Sequence, residues 1–217
     1  MPYIDIHTHN SNPQKDVLKV VNIFPVDDVD LILQEGMLYS AGIHPWYIDE
    51  VDVEESLKKI REWLEAGKIA AIGETGIDAL RGPEMQIQEK VFLRQVDVSE
   101  EFEVPLIIHC VKAYNEILVL RKQTKAKQPW ILHGFNSSVQ MMRQMTEAGI
   151  YISLGPALLK SKKLQDVCRE VPDGMLFFET DVSDVQIKDI YTKAAEIRGI
   201  KIEELERNIF NNFKRVF

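Results

Sequence analysis

Cysteine is scarce: Cys110 and Cys168 are the only two in 217 residues. That excludes a disulfide framework and a thiolate metal site, and it makes a reducing cytoplasm the expected setting. No apolar run is long enough to cross a bilayer. A secretory signal is also missing, because Asp5, His7 and His9 interrupt the stretch where its apolar region would stand. Basic residues are outnumbered, 26 against 34 acidic ones, and the net charge of -8 disfavours nonspecific binding of duplex nucleic acid. A phosphate-bearing substrate stays open, since a bound divalent cation can supply positive charge that side chains lack. Linkers and low-complexity segments are absent as well, so one domain over 1–217 is expected, without membrane attachment or an obligate protein partner, as a monomer.

What is present is ordinary globular material, 45% hydrophobic and 28% charged, with short strand-like runs that recur along the chain. Eight are expected: Tyr3 to His7, Leu18 to Phe24, Met37 to Ile43, Ile69 to Gly73, Pro105 to His109, Trp130 to His133, Ile150 to Leu154 and Met175 to Glu179. Helical stripes lie between them. Val53 to Ala66 carries Val53, Leu57, Ile60 and Leu64 on one face, with Asp52 as N-cap and Gly67 beyond the end. Gln88 to Phe102, a helix striped by Val139, Met142 and Met145, another entered at Ser161, Asp184 to Arg198, and Ile202 to Phe217 follow the same logic. Continuous apolar strands alternating with helices mean a parallel sheet covered by helices, and eight of them predict an α/β fold of the (β/α)₈ TIM-barrel type. The first βα unit is reduced: "NSNPQKDV", Asn10 to Val17, is too short and too broken by Pro13 for a crossover helix. A compact barrel thinned on one side is the expectation.

The histidines carry the functional signal. His7, His9, His44, His109 and His133 all fall at or just beyond the C-terminal end of an expected strand, the end where catalytic residues of such barrels gather. A lone histidine there is more often structural; five out of five point to chemistry. In "DIHTH" the strand alternation places Asp5, His7 and His9 on one face. Glu74 follows the fourth strand, and in "FFETD" Glu179 and Asp181 share a face with Thr180 opposite. An isolated carboxylate after a strand is usually a cap or a solvated loop residue. Beside imidazoles it suits Zn, Mn, Fe or Ni, and four histidines with two carboxylates exceed the needs of one tetrahedral site. Two divalent ions (Zn, Mn, Mg, Fe or Ni) sharing a bridging carboxylate is the economical reading.

These residues stand in motifs whose order is informative: "DIHTH", "AGIHP", "AIGETGID", "PLIIHC", "LHGF", "FFETD" and a terminal "NNFKRVF". In this order the sequence resembles the TatD-like metal-dependent hydrolases, relatives of the amidohydrolase superfamily. The resemblance implies that His7 and His9 with Asp181 hold one metal, that His109 and His133 hold the other, and that Glu74 bridges them. It places His44 near a leaving or nonreacting phosphate. It further implies a 3′ to 5′ deoxyribonuclease or phosphodiesterase, with single-stranded DNA a candidate substrate. Two departures touch the rim: Val111 stands where the family usually has an arginine, with Lys112 adjacent, and "VSDVQIKD" replaces a proline-containing loop with an arginine.

The expected reaction is phosphoester hydrolysis by a metal-activated water, with Asp181 and Glu74 as the catalytic carboxylates and His44 and Lys112 on the substrate. The alternative enzyme is an amidohydrolase-like hydrolase of a small amide or ester on the same scaffold. A metal-binding remnant acting as an interaction module is the non-enzyme alternative, and the complete ligand set argues against it. Asp5 is expected to orient an imidazole. "KSKK", Lys160 to Lys163, lies near the catalytic face at a helix start, and a solvated lysine run is its plainer reading. "RKQTKAK", Arg121 to Lys127, belongs to the opposite face, and Cys110 and Cys168 are packing residues.

Overall fold

The computed structural model describes residues 1–25, 34 and 36–217. Eight strands, β1 (Tyr3–Thr8), β2 (Val17–Ile23), β3 (Met37–Ala41), β4 (Ala71–Asp78), β5 (Leu106–Val111), β6 (Trp130–Leu132), β7 (Ile150–Leu154) and β8 (Leu176–Phe178), pair in chain order. Every pairing is parallel, which requires each connection to cross back outside the sheet. The crossovers carry α1 (Val53–Glu65), α2 (Met85–Phe102), α3 (Tyr114–Thr124), α4 (Val139–Glu147) and α5 (Lys162–Glu170), and α6 (Ile187–Arg198) and α7 (Ile202–Val216) follow β8. The result is a TIM barrel. The connection from β2 to β3 runs largely through residues outside the described set. No helix among the described residues is long and apolar enough to cross a membrane.

Helix ends follow local chemistry where the sequence provides it. Asp52, Ser138 and Ser161 each accept a backbone N–H at the start of α1, α4 and α5. Helix α3 has no such punctuation: Ala113 offers no acceptor at its start, and Lys125 rather than glycine takes the left-handed position at its end. It forms because Ile117, Leu118 and Leu120 bury against the barrel, a cause invisible to capping signals. Arg121 of the basic run belongs to this helix and lies over the Trp130 ring, 4.9 Å away.

Two expectations need correction. The fourth strand does not stop at Gly73 but runs to Asp78, so Glu74 lies within it. Its glycines look like strand breakers, yet Gly76 pairs with His109 of β5 at a point where an added Cβ would sit 2.0 Å from the His109 carbonyl oxygen. Only glycine admits that approach, and its φ of +147° is one that L side chains rarely adopt. The second correction concerns Asp5, which does not touch an imidazole. Its carboxylate accepts the Thr180 N–H at 2.9 Å and the Thr180 hydroxyl at 2.6 Å. The β1 register slips between Asp5 and Thr8, and both residues meet the same Thr180 hydroxyl although they are three positions apart. A bulge thus inverts the alternation and sends Asp5 to the face opposite His7 and His9. Burial pushes the Asp5 carboxyl up to about 7 against the two bonds from Thr180.

The reduced first unit is real: no helix occupies 9–16, and a lysine does part of its work. Lys19 is 2% exposed, and its ammonium donates to the carbonyls of Asn12 at 2.9 Å and Asn10 at 3.3 Å. Closure between β1 and β8 rests on one bridge among the described residues, Thr8 with Asp181, where the Asp181 N–H donates to the His7 carbonyl and the His9 N–H to the Asp181 carbonyl. Below that bridge, side chains replace the ladder. The Tyr191 hydroxyl of α6 accepts the Ile4 N–H and donates to the Ile4 carbonyl, both at 3.1 Å, and the Asn212 amide of α7 donates to the Leu176 carbonyl at 3.0 Å. Removing the hydroxyl with Tyr191→Phe strands a buried N–H and a buried C=O, so a loss on the order of 2–4 kcal/mol is expected in urea denaturation. A change below about 0.5 kcal/mol would show that the seam does not depend on it.

Candidate metal centre

Glu74 organises the site. It is 6% exposed, and all five histidines of the chain reach its carboxylate. His109 Nδ1 lies 2.7 Å, His133 Nε2 2.8 Å and His44 Nε2 3.1 Å from Oε1, while His7 Nε2 and His9 Nε2 lie 3.5 and 3.6 Å from Oε2. The two oxygens therefore divide the imidazoles into two sets, one from β1 and one from β3, β5 and β6. Asp181 completes the first set, its Oδ1 3.7 Å from both His7 Nε2 and His9 Nε2. Burial opposes ionisation of Glu74, but the charge on His133 and the hydrogen bonds from His109, His133 and His44 outweigh it and hold the carboxyl well below the usual range. His133 responds in the opposite direction. Burial works against its protonation, and Glu74 and Glu179 overcome this to raise it well above the ordinary histidine value.

The backbone beneath these side chains is anchored by two buried glutamines of α2, Gln88 and Gln95. Gln95 takes both polar groups of Ile43, accepting its N–H at 2.7 Å and donating to its carbonyl at 3.1 Å, which fixes the approach to His44. Gln88 does the same for Asp78, at 2.8 and 3.0 Å. Two carboxylates absent from the expected ligand set take part. Asp78 Oδ2 accepts the Trp46 indole N–H at 2.6 Å and lies 3.2 Å from His109 Nε2. Glu179 accepts the Gly134 N–H at 2.6 Å and stands 3.5 Å from His133 Nδ1. Period-two alternation from Glu74 would have found Asp78, had the strand not been ended at Gly73.

The donor set fits divalent cations. His7 is fully buried and neither ring nitrogen has a hydrogen-bond partner, although Nε2 faces Glu74 and Asp181. Both nitrogens of His109 face carboxylate oxygens, and a neutral imidazole has one proton for two acceptors. A cation resolves both frustrations. Ligand atoms of His7, His9 and Asp181, of His7, Glu74 and His133, and of His44, Glu74 and His109 lie within 4.8 Å of one another in each group. His44 differs from the rest. Its Nδ1 accepts the Trp46 backbone N–H at 3.1 Å, so the proton of the neutral ring sits on Nε2 and points at Glu74 as a donor. Burial, outweighing the pull of Glu74, keeps its pKa below the ordinary value, and so keeps the ring neutral. Lys112 lies at the barrel rim just past β5. Cys110 is buried, and burial pushes its thiol up to about 12, away from nucleophilic use.

The profile of the family described as TatD related DNase matches residues 26–217. A protein of Bacillus subtilis (strain 168) named "Uncharacterized metal-dependent hydrolase YabD" is 30% identical over 209 residues, covering 87% of this chain and 81% of that one. The "3'-5' ssDNA/RNA exonuclease TatD" of Citrobacter rodentium (strain ICC168) is 28% identical over 170 residues, 74% of this chain and 62% of its own. Among solved structures, the TatD homologue YJJV from Escherichia coli K12 superposes with a TM-score of 0.87 at 21% identity over 99% of this chain and 97% of that one, which shows a shared fold.

Cation binding has to displace the proton that the two carboxylates hold on His133, so affinity is expected to keep rising with pH above the ordinary histidine range. Calorimetry with Mn²⁺ in buffers of different ionisation enthalpy reads the released proton, and a pH-independent affinity would contradict the arrangement. At 100 times Kd, the cation should add about 2.7 kcal/mol of stability. In Glu74→Gln this thermal shift should be largely lost.

Proposed function

We propose, from the premise that the chain belongs to the TatD-related DNase family, that it hydrolyses phosphodiester bonds with two divalent cations. His7, His9 and Asp181 would hold one, His109 and His133 the other, with Glu74 between them. The observation that carries this reading is the division of five imidazoles between the two oxygens of one buried carboxylate. Bound there, the cations supply Lewis-acid polarisation of the phosphoryl group and a nucleophile at neutral pH.

The residues of the chain then have separable tasks. Glu74 is enclosed and committed on both oxygens, which suits a fixed ligand. Asp181 sits at the mouth with its side chain 37% exposed, and among the described residues its carboxylate is close to His7 and His9, at 3.7 Å from each. It is the carboxylate free to take a proton from the attacking water. His44, neutral, directs its single Nε2–H at Glu74, and with that carboxylate committed to a cation this N–H would be free to donate to a phosphoryl oxygen. Asp78 and Glu179 hold the outer nitrogens of His109 and His133 and set the direction of both rings. An apolar cavity of about 330 Å³ beside His44, lined among others by Phe24, Ile43 and Tyr47, suits an uncharged aromatic group such as a nucleobase. Lys112 at the rim would contact the phosphate backbone. The relative named as a single-strand exonuclease supports a nucleic-acid strand as the substrate.

Asp181 has a φ of +53°, a left-handed conformation that asparagine tolerates as well as aspartate does. Asp181→Asn is therefore expected to keep the fold and most of the bound metal while kcat on single-stranded DNA falls about 100- to 10,000-fold. Full turnover in this variant would remove Asp181 from the role of base.

A further inference from the structure

We propose that the cavity flanking the sixth strand is a second phosphate subsite, built to hold the phosphodiester adjacent to the scissile one. The inference rests on the phosphodiesterase reading above and adds to it a minimum substrate: a strand with at least two phosphodiesters. The cavity, about 530 Å³, begins where the histidine cluster ends. Its walls include Cys110 and Lys112, directly past His109, and Gly134 and Asn136, directly past His133. A third wall is Lys163, on the first turn of α5.

Charge distinguishes this cavity from the surface around it. In a chain of net charge -8, its described lining contains two lysines and no carboxylate. Two lysines on outer helices are neutralised by acids, Lys58 by Glu55 and Glu62 and Lys193 by Glu196. Among the described residues, Lys112 and Lys163 have no ion pair. Lys163 Nζ donates one hydrogen bond, to the Asn136 carbonyl at 3.1 Å, which draws the ammonium across the cavity mouth and leaves its other protons available. The Ser138 hydroxyl accepts the Met141 N–H at 3.2 Å as the N-cap of α4, so its own proton is free to donate outward. Tyr114 accepts the Asn136 N–H at 3.1 Å and ties the loops after β5 and β6 into one rigid wall. Lys112 is held at φ +55°, an uncommon backbone for a lysine, at the rim of the same cavity.

Two lysines on the lining of a polar cavity with no carboxylate among its described lining residues give it a local positive field that attracts an anion. The catalytic centre supplies the direction. A phosphodiester held at the cations continues into its neighbour, and the walls formed by residues that follow His109 and His133 are the surface that neighbour meets. A small diester with one phosphate leaves this subsite empty and forfeits its contribution to binding.

The test uses the full chain loaded with Mn²⁺ and compares bis(p-nitrophenyl) phosphate, thymidine dinucleotide and thymidine trinucleotide, in the native protein and in Lys163→Gln. The expected result is a kcat/KM preference for the trinucleotide of roughly tenfold over the dinucleotide, mostly lost in Lys163→Gln. Metal-free binding of fluorescein-labelled (dT)₄, followed by anisotropy against salt, reads the contact without turnover. The slope of log K against log[salt] should fall by about 0.7 in the variant, the value of one single-strand phosphate contact. Equal kcat/KM on all three substrates, or an unchanged salt slope, overturns the subsite and leaves phosphodiester hydrolysis standing. Failure to hydrolyse any of the three, with the slope reduced as expected, overturns the hydrolytic reading and retains the anion site.

Discussion

One buried carboxylate holds this molecule's chemistry together. Glu74 sits in the wall of the barrel with five imidazoles around it, drawn from four strands or the turns that follow them. Burial of an ionised carboxylate is costly unless it is compensated, and here the compensation is shared among so many rings that each is oriented by the same group. The rings in turn lack a complete set of partners among themselves. His7 is stranded with two unsatisfied nitrogens and His109 has carboxylates at both ends. The protein has thus traded internal satisfaction for a concentrated set of nitrogen and oxygen donors, the arrangement a cation completes.

The same region closes the barrel. Asp181 contributes its carboxylate to His7 and His9 while its backbone bridges to Thr8, the closing bridge between the two ends of the sheet among the described residues. Catalytic geometry and barrel closure are therefore coupled through a single residue, and the Asp5–Thr180 bonds stiffen the junction from the other side. Closure further down is delegated to Tyr191 and Asn212, whose side chains take the place of strand hydrogen bonds. With no helix across the first connection, Lys19 satisfies the loop carbonyls that a helix would have satisfied internally. Thinning the barrel has moved structural duty from backbone ladders to particular side chains.

The overall acidity of the chain and its reading as a phosphodiesterase are reconciled by where the charges lie. Some acidic groups are spent inside the site, as Glu74, Asp78, Glu179 and Asp181 are, and others are paired along outer helices, as Glu54 is with Arg94. The rim between β5 and α5 keeps its lysines unpaired. Local field rather than net charge decides what an open cavity attracts, because salt screens distant charges within about 10 Å.

Much of this was legible in the residue order. Strand-sized apolar runs, capped helices and histidines placed only at strand ends determine the barrel, the face that carries the site and the donor types available. Each of these is local, set by periodicity and side-chain chemistry over a few positions. The bulge in β1 was not legible, since an extra residue in a strand leaves no mark on composition, and it reverses the side to which Asp5 points. Nor was the length of β4, where Gly76 reads as a breaker and is in fact the residue that lets β5 approach. Helix α3 escaped for the complementary reason, its ends being unmarked while its burial is supplied by the barrel. Which oxygen of Glu74 meets which histidine, and the recruitment of Asp78 and Glu179 behind the rings, depend on contacts between residues 30 to 60 or more positions apart. Such contacts exist only after the sheet has curled shut, and only the tertiary structure decides them.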